Sequence, residues 1–145
     1  MNLIDTNGID YILKNHHTTR EEYFVTPDVK SESEVTELIH GRRMPANLRD
    51  LSEHRLFDAN SYLQHYKSML NKHSDRSFFN MTGFGDISIL AAIKTIREKS
   101  AIENTGSLFN FPESITVYTM DSGLTLKIHK EFNGEVLVKN PRDLA

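Results

Sequence analysis

The chain contains no cysteine, which excludes a disulfide framework, a thiolate zinc site, an iron–sulfur cluster and a cysteine nucleophile. A long hydrophobic run is also missing. The longest apolar stretch, Ile87 to Ile93, is interrupted by Ser88 and falls far short of the roughly 20 residues needed to cross a bilayer. Excess positive charge is absent too: 17 Lys and Arg against 20 Asp and Glu leave a formal net charge of -3. Bulk charge alone therefore does not hold nucleic acid, and any such contact has to be local or neutralised by metal ions. The start, Met1-Asn2-Leu3-Ile4-Asp5, has no basic leader and no apolar run of secretory length, so export is not expected and a cytoplasmic location is. No repeat of about 20 to 50 residues and no low-complexity tract signals a solenoid or a long linker.

What is present suffices for one domain. The chain has 145 residues, of which 38% are apolar and 26% charged, enough for one core under a polar surface, so residues 1–145 read as a single domain. Leu3 and Ile4 form a short strand that stops at Asp5-Thr6-Asn7-Gly8, where polar capping residues precede the helical pattern Ile9, Tyr11, Ile12, Leu13. His16-His17-Thr18-Thr19 is a polar break, and Tyr23-Phe24-Val25-Thr26 is a second strand stopped by Pro27. Thr26 and Pro27 then open a helix that continues through Val29, Val35, Leu38 and Ile39 to Gly41.

Pro45 breaks the chain, and Tyr62, Leu63, Tyr66, Met69 and Leu70 mark an amphipathic helix from Asp58 to Lys72. Gly83-Phe84-Gly85-Asp86 opens the most apolar helix, with acid at its start and Arg97 to Lys99 near its end, as the helix dipole favours. Ser100 to Glu113, with Gly106 and Pro112, reads as a loop, and Ile115 to Thr119 as a strand. The last segment carries two signals. Asn133-Gly134 between Leu126-Lys127-Ile128 and Val136-Leu137-Val138 suggests a hairpin, whereas Leu124, Ile128 and Phe132 at steps of four suggest a helix running into a strand. The alternation of strands and helices elsewhere makes a parallel sheet with helices on both faces the economical architecture.

In such a sheet ligands gather beyond the carboxyl ends of the strands. Asp5 follows the first strand and Asp121 the strand Ile115 to Thr119, while Glu32 and Asp86 lie in the first turns of helices. Each of them, taken alone, is more often a cap, a turn former or a surface residue. Four carboxylates drawn together repel one another by several kcal/mol at intermediate dielectric, so such a group needs protons or cations. Oxygen donors without His or Cys favour Mg2+ or Mn2+, and the chemistry such ions support is phosphodiester hydrolysis.

These segments also stand in the order of a known family. Leu3-Ile4-Asp5-Thr6-Asn7, Thr26-Pro27-Asp28-Val29-Lys30-Ser31-Glu32, Gly85-Asp86-Ile87-Ser88-Ile89-Leu90-Ala91-Ala92 and Val117-Tyr118-Thr119-Met120-Asp121 together resemble a PIN domain. From Asp5 to about Val138 the chain looks like a small PIN-domain ribonuclease of the kind that serves as toxin in bacterial and archaeal toxin–antitoxin pairs. The resemblance implies a three-layer α/β/α sandwich around a central, mostly parallel sheet. It matches Asp5, Glu32, Asp86 and Asp121 to the four acidic positions, Thr6 and Asn7 to the polar pair after the first aspartate, and Thr119 to a supporting hydroxyl. It also favours a helix over Ser122 to Glu131 and an edge strand over Glu135 to Val138.

The expected activity is a Mg2+- or Mn2+-dependent endoribonuclease. Asp5, Asp86 and Asp121 would coordinate the ion, and Glu32 would complete the cage or orient the attacking water. The products would carry a 3' hydroxyl and a 5' phosphate. RNA, an antitoxin protein and a second copy of the chain are the expected partners, with no membrane contact. Departures remain: Asp28 and Glu34 bracket Glu32, and the interval from Asp86 to Asp121 is long for the family, which makes residues 101–113 an insertion that forms a lid, a dimer contact or neither. The alternatives are a non-catalytic module that takes a basic peptide in its acid pocket, an RNA-processing nuclease outside toxin–antitoxin pairs, and a fragment of a DNA flap nuclease.

Other features carry less. His16, His17, His54, His65 and His73 show no metal-ligand spacing, and Gly83-x-Gly85 lacks the rest of a phosphate loop. The basic clusters Arg42-Arg43, Lys72-His73 with Arg76, and Arg97 with Lys99 suit RNA phosphates or simply solvated helix ends. Tyr62 with Tyr66, and Phe109 with Phe111, pack either the core or a partner.

Overall fold

The computed structural model describes residues 1–15, 20–72, 84–105 and 113–144. β1 (Asn2–Ile4) leads into α1 (Thr6–Asn15), and β2 (Tyr23–Val25) into α2 (Pro27–His40). After β3 (Leu48–Asp50) come α3 (Ala59–Lys72) and α4 (Phe84–Glu103), then β4 (Thr116–Tyr118), α5 (Ser122–Phe132) and β5 (Leu137–Lys139). Short 3-10 turns cover Leu51–Glu53 and Pro141–Asp143.

The five strands form one sheet in the order β3-β2-β1-β4-β5, and every pairing is parallel. From β1 the chain steps outward to β2 and β3, then returns across the sheet to β4 on the other side of β1 and steps outward again to β5. Right-handed crossovers therefore place α1 and α2 on one face and the later helices on the other. Packing of α1 on α2 and of α3 on α4 agrees with that arrangement, which is consistent with a three-layer sandwich. The carboxyl ends of β1 and β4 meet where the winding reverses, the position at which open α/β sheets leave a crevice.

Local signals account for most element ends. Thr26 caps α2 by accepting from the Val29 N–H at 3.4 Å, Pro27 fills the first turn, and Gly41, at φ 61°, ends the helix by donating its N–H to the Glu37 carbonyl. α4 is apolar on nearly every side. Ile87, Ile89, Leu90, Ala91, Ala92, Ile93 and Ile96 are all fully buried, which anchors the helix in the core at about 1.5 to 3 kcal/mol for each large side chain removed from water. The Tyr62 hydroxyl and Ser88 Oγ, 2.7 Å apart, tie α3 to it, which places Tyr62 in the core. No helix among the described residues is long and apolar enough to cross a membrane.

The structure adds to, corrects or decides among the sequence signals at three places. The loop beginning at Ser100 does not start there: α4 runs to Glu103, with buried Ser100 accepting from the Glu113 N–H at 2.7 Å. The first residues of the 101–113 segment are thus helix, and 106–112, with Phe109 and Phe111, lie outside the described residues, as do 16–19 and 73–83. Second, Leu48-Arg49-Asp50 forms an edge strand that no pattern announced, since its only apolar residue is half-buried Leu48. Third, Asn133-Gly134 does not turn a hairpin. β5 lies parallel to β4, and Asn133, at φ 49°, closes α5 with its N–H on the His129 carbonyl, followed by Gly134 at φ 76°. The tolerance for left-handed backbone that makes this pair a hairpin turn also makes it a helix stop. The edge strand begins two residues later than expected, at Leu137.

Candidate functional site

Asp5 is the first residue beyond β1. Its N–H donates to the Tyr118 carbonyl at 3.0 Å, and its own carbonyl accepts from Gly8 and Ile9, so one residue ends a strand and starts α1. The residue is 5% exposed. Oδ1 accepts from the Thr6 N–H at 2.7 Å and Oδ2 from the Thr119 hydroxyl at 2.9 Å.

Thr119, just past β4, is the joint between the two strand ends. While its hydroxyl donates to Asp5, the same oxygen accepts from the Asp121 N–H at 3.0 Å and from Asn7 Nδ2 at 3.4 Å, which fills its hydrogen-bonding capacity. Asn7 in turn accepts from the Met120 N–H at 3.0 Å. Asp121 caps α5, its Oδ1 receiving the Gly123 and Leu124 N–H groups at 2.8 and 3.1 Å.

The other two acids arrive from helices. Glu32 sits on α2, where its carboxylate accepts from the Thr6 hydroxyl. It also lies against bare backbone of α4, because a Cβ at Gly85 would stand 3.1 Å from both of its oxygens. Asp86 follows in the first turn of α4. Asp5, Glu32, Asp86 and Asp121 all line one cleft of about 360 Å³, together with Thr6, Asn7, Asp10, Thr36 and Gly85. Thr119 stands behind it, buried, with its hydroxyl on Asp5.

Crowding shifts the proton affinities of these groups. Burial, followed by the charges of Asp5, Asp121 and Glu32, raises Asp86 to about 8, with Lys127 acting the other way. Burial also raises Asp5, with Asp121 and Glu32 adding to the rise while the Thr6 N–H and the Thr119 hydroxyl oppose it. The cleft therefore favours the protonated form of Asp86.

The neighbours of Glu32 do not share its place. Asp28 accepts from the Tyr66 hydroxyl at 2.7 Å, and Glu34 lines grooves elsewhere on α2. Asp10 and Thr36 line the cleft but stood out in no motif; each lies four residues beyond a recognised position, Thr6 and Glu32, and so on the same helical face. Asp10 is held by His40 Nε2 at 2.7 Å. The basic clusters are largely engaged. Arg42 donates to the Leu13 carbonyl at 2.7 Å, Lys72 pairs with Glu131 at 2.6 Å, Lys99 with Asp58 at 3.7 Å, and Arg97 with Glu135. His65 pairs with Glu98 at 2.6 Å, and His54 stacks edge-on to Phe24 with its proton affinity lowered by burial.

The donors facing the cleft are carboxylate, hydroxyl and amide oxygens, which suit a hard divalent cation. Their clustered charge gives such an ion something to neutralise. Among the described residues, however, no group of three or more His, Asp and Glu side chains is already arranged to hold a metal ion. Neither a family model, nor a curated protein, nor a solved structure matches the chain.

Proposed function

We propose that the chain is a PIN-type endoribonuclease that works with Mg2+ or Mn2+ and serves as the toxin of a toxin–antitoxin pair. One observation carries the proposal: four carboxylates from four separate segments share a cleft at the carboxyl edge of the sheet, where its winding reverses. Asp5, Asp86 and Asp121 are the residues that would hold the ion, with Glu32 beside them. When bound, it offsets the charge of the acids and of an RNA phosphate, makes a water more acidic and stabilises the leaving oxygen.

The chain's own groups do the rest. Thr119 and the Thr6 N–H hold both oxygens of Asp5, which fixes the orientation of this carboxylate. Thr6 orients Glu32 through one oxygen, which leaves the other to accept a proton from the attacking water. Water adds to phosphorus as Glu32 takes its proton, the bond to the 3' oxygen breaks, and that oxygen takes up a proton from solvent, leaving a 3' hydroxyl and a 5' phosphate with no protein nucleophile.

Cleavage of RNA with Mg2+ or Mn2+, lost in Asp5→Asn and Asp86→Asn while their circular dichroism is unchanged, is the expected result. The rival reading is a non-catalytic module whose acid cleft takes an arginine from a basic partner, and the acid lining of the cleft suits that charge as well. A Mn2+ titration followed by electron paramagnetic resonance separates the two. Binding near millimolar or tighter that Asp5→Asn removes supports the nuclease, and no binding together with intact RNA supports the module.

A further inference from the structure

A second cavity, of about 520 Å³, opens between the start of α2 and the first turns of α3, within the roughly 300 to 1,000 Å³ of small-ligand sites. Buried Tyr62 forms its floor, with the rings of Phe57 and Tyr66 at 5.3 and 5.9 Å from the Tyr62 ring, and half-exposed Leu63 stands at its mouth. The rings are tilted against one another at 47° and 59°, so they do not use up their faces in stacking on each other.

Both phenol hydroxyls are engaged. That of Tyr62 lies against Ser88 Oγ and that of Tyr66 donates to Asp28 Oδ2, each at 2.7 Å, so Asp28 is the polar side chain this lining offers a guest, and a carboxylate accepts without donating. A matching guest is flat, aromatic and edged with N–H donors. An apolar side chain of a protein would fill the rings but leave Asp28 unmatched. A nucleobase satisfies both, and guanine best, because its adjacent N1–H and N2–H groups meet the two oxygens of a carboxylate, whereas uracil sets a carbonyl oxygen on each side of its one N–H. The cavity also adjoins the acid cleft. Asp28 lies one turn before Glu32, about 5 to 6 Å away along the helix surface. Burial first, then the bond to Asp28 and its charge, raise the Tyr66 phenol, and Glu32 is near enough to add to the rise. One short stretch of RNA therefore reaches both, with a phosphate in the cleft and an unstacked base against the rings.

We infer that this cavity is a nucleobase subsite beside the cleft, seating a guanine of single-stranded RNA against Phe57, Tyr62 and Tyr66 with its Watson–Crick edge on Asp28. It rests on the nuclease reading for its RNA, but the binding itself needs neither the ion nor cleavage.

Amide NMR titration of the full chain in EDTA with guanosine and with uridine, both uncharged and so not repelled by the acids, tests it, with thermal melts as a folding control. Guanosine up to millimolar concentration should shift the signals of Asp28, Phe57, Tyr62 and Tyr66 saturably, and uridine should bind about tenfold more weakly. Asp28→Asn should cut guanosine affinity about tenfold and erase the difference between the two. Tyr66→Ala should weaken guanosine about as much, and Tyr66→Phe should restore most of it, because the ring and not the hydroxyl stacks. With Mn2+, hexauridylate carrying one guanosine should be cut at a lower KM than hexauridylate, and Asp28→Asn should remove that advantage while kcat holds. No saturable shift with guanosine, equal binding of uridine, or an Asp28→Asn protein that still prefers guanosine would overturn the base site whether or not RNA is cut. Guanosine binding with RNA left intact would support the base site and refute the nuclease reading.

Discussion

Thr119 shows how much of the site depends on one hydroxyl. It holds Asp5 from behind and anchors the Asp121 N–H, so its removal frees one carboxylate and loosens the start of α5. Thr119→Val keeps the volume and deletes these bonds. It should cost roughly 1 to 3 kcal/mol in urea unfolding, since buried polar groups are left without partners, and weaken Mn2+ binding several-fold. Unchanged stability would show that the hydroxyl is not the joint described here.

Asp86 makes a prediction with a definite sign. Its carboxyl is raised to about 8 in the folded chain, so between the ordinary value of 3.8 and that point the folded state binds a proton that the unfolded state has released. The associated stability is full below pH 4, declines as pH climbs toward 8 and is flat above that. In EDTA the wild type should therefore lose stability from pH 5 to pH 8. Asp86→Asn, which mimics the neutral acid, should flatten that slope, being nearest to wild type at pH 4 and increasingly more stable toward pH 8. Partial exposure limits the difference to on the order of 1 to 3 kcal/mol. Equal slopes in urea titrations of the two proteins would refute the crowding argument.

At the scale of elements, the site depends on how closely α2 approaches the start of α4. Gly85 permits that approach because a side chain there would press on both oxygens of Glu32. Gly85→Ala should displace the Glu32 carboxylate by a few tenths of an ångström or swing it out. RNA cleavage should fall by about tenfold or more, while the helix itself gains slightly from alanine. An activity equal to wild type would remove Glu32 from the working group.

The same scale shows what could be read beforehand. α2 was legible at both ends because Thr26, Pro27 and Gly41 each act within one turn of chain. β3 was not, because a three-residue edge strand with one half-buried apolar side chain owes its existence to pairing with β2, a tertiary fact. Asn133-Gly134 specified a backbone conformation but not what precedes it, and only the steps of four through Leu124, Ile128 and Phe132 distinguish a helix end from a hairpin. The acids were legible as strand-end and helix-start residues. That Glu32 and not Asp28 lines the cleft was not legible, and Asp28 instead accepts from the Tyr66 hydroxyl, contributed by α3 from 38 positions away.

For the whole molecule, the sheet's winding has an energetic consequence. It gathers acids from β1, α2, α4 and β4 at one crevice, so the folded chain holds repulsion that an unfolded chain disperses. A cation that binds only the folded state reverses that liability, adding about 2.7 kcal/mol when present at a hundredfold over its dissociation constant. For a chain of this size that corresponds to a rise of roughly 5 to 10 °C in melting temperature. Mn2+ should raise the wild-type melt by that amount at pH 7.5 and leave Asp86→Asn nearly unmoved, while in EDTA Asp86→Asn should melt at or above the wild type because the crowded acid has been made neutral. The two orders of stability, reversed by the ion, set a working site apart from a merely acidic pocket. If Mn2+ shifted both proteins equally, the ion would be acting elsewhere on the surface and the cleft would have no claim to it.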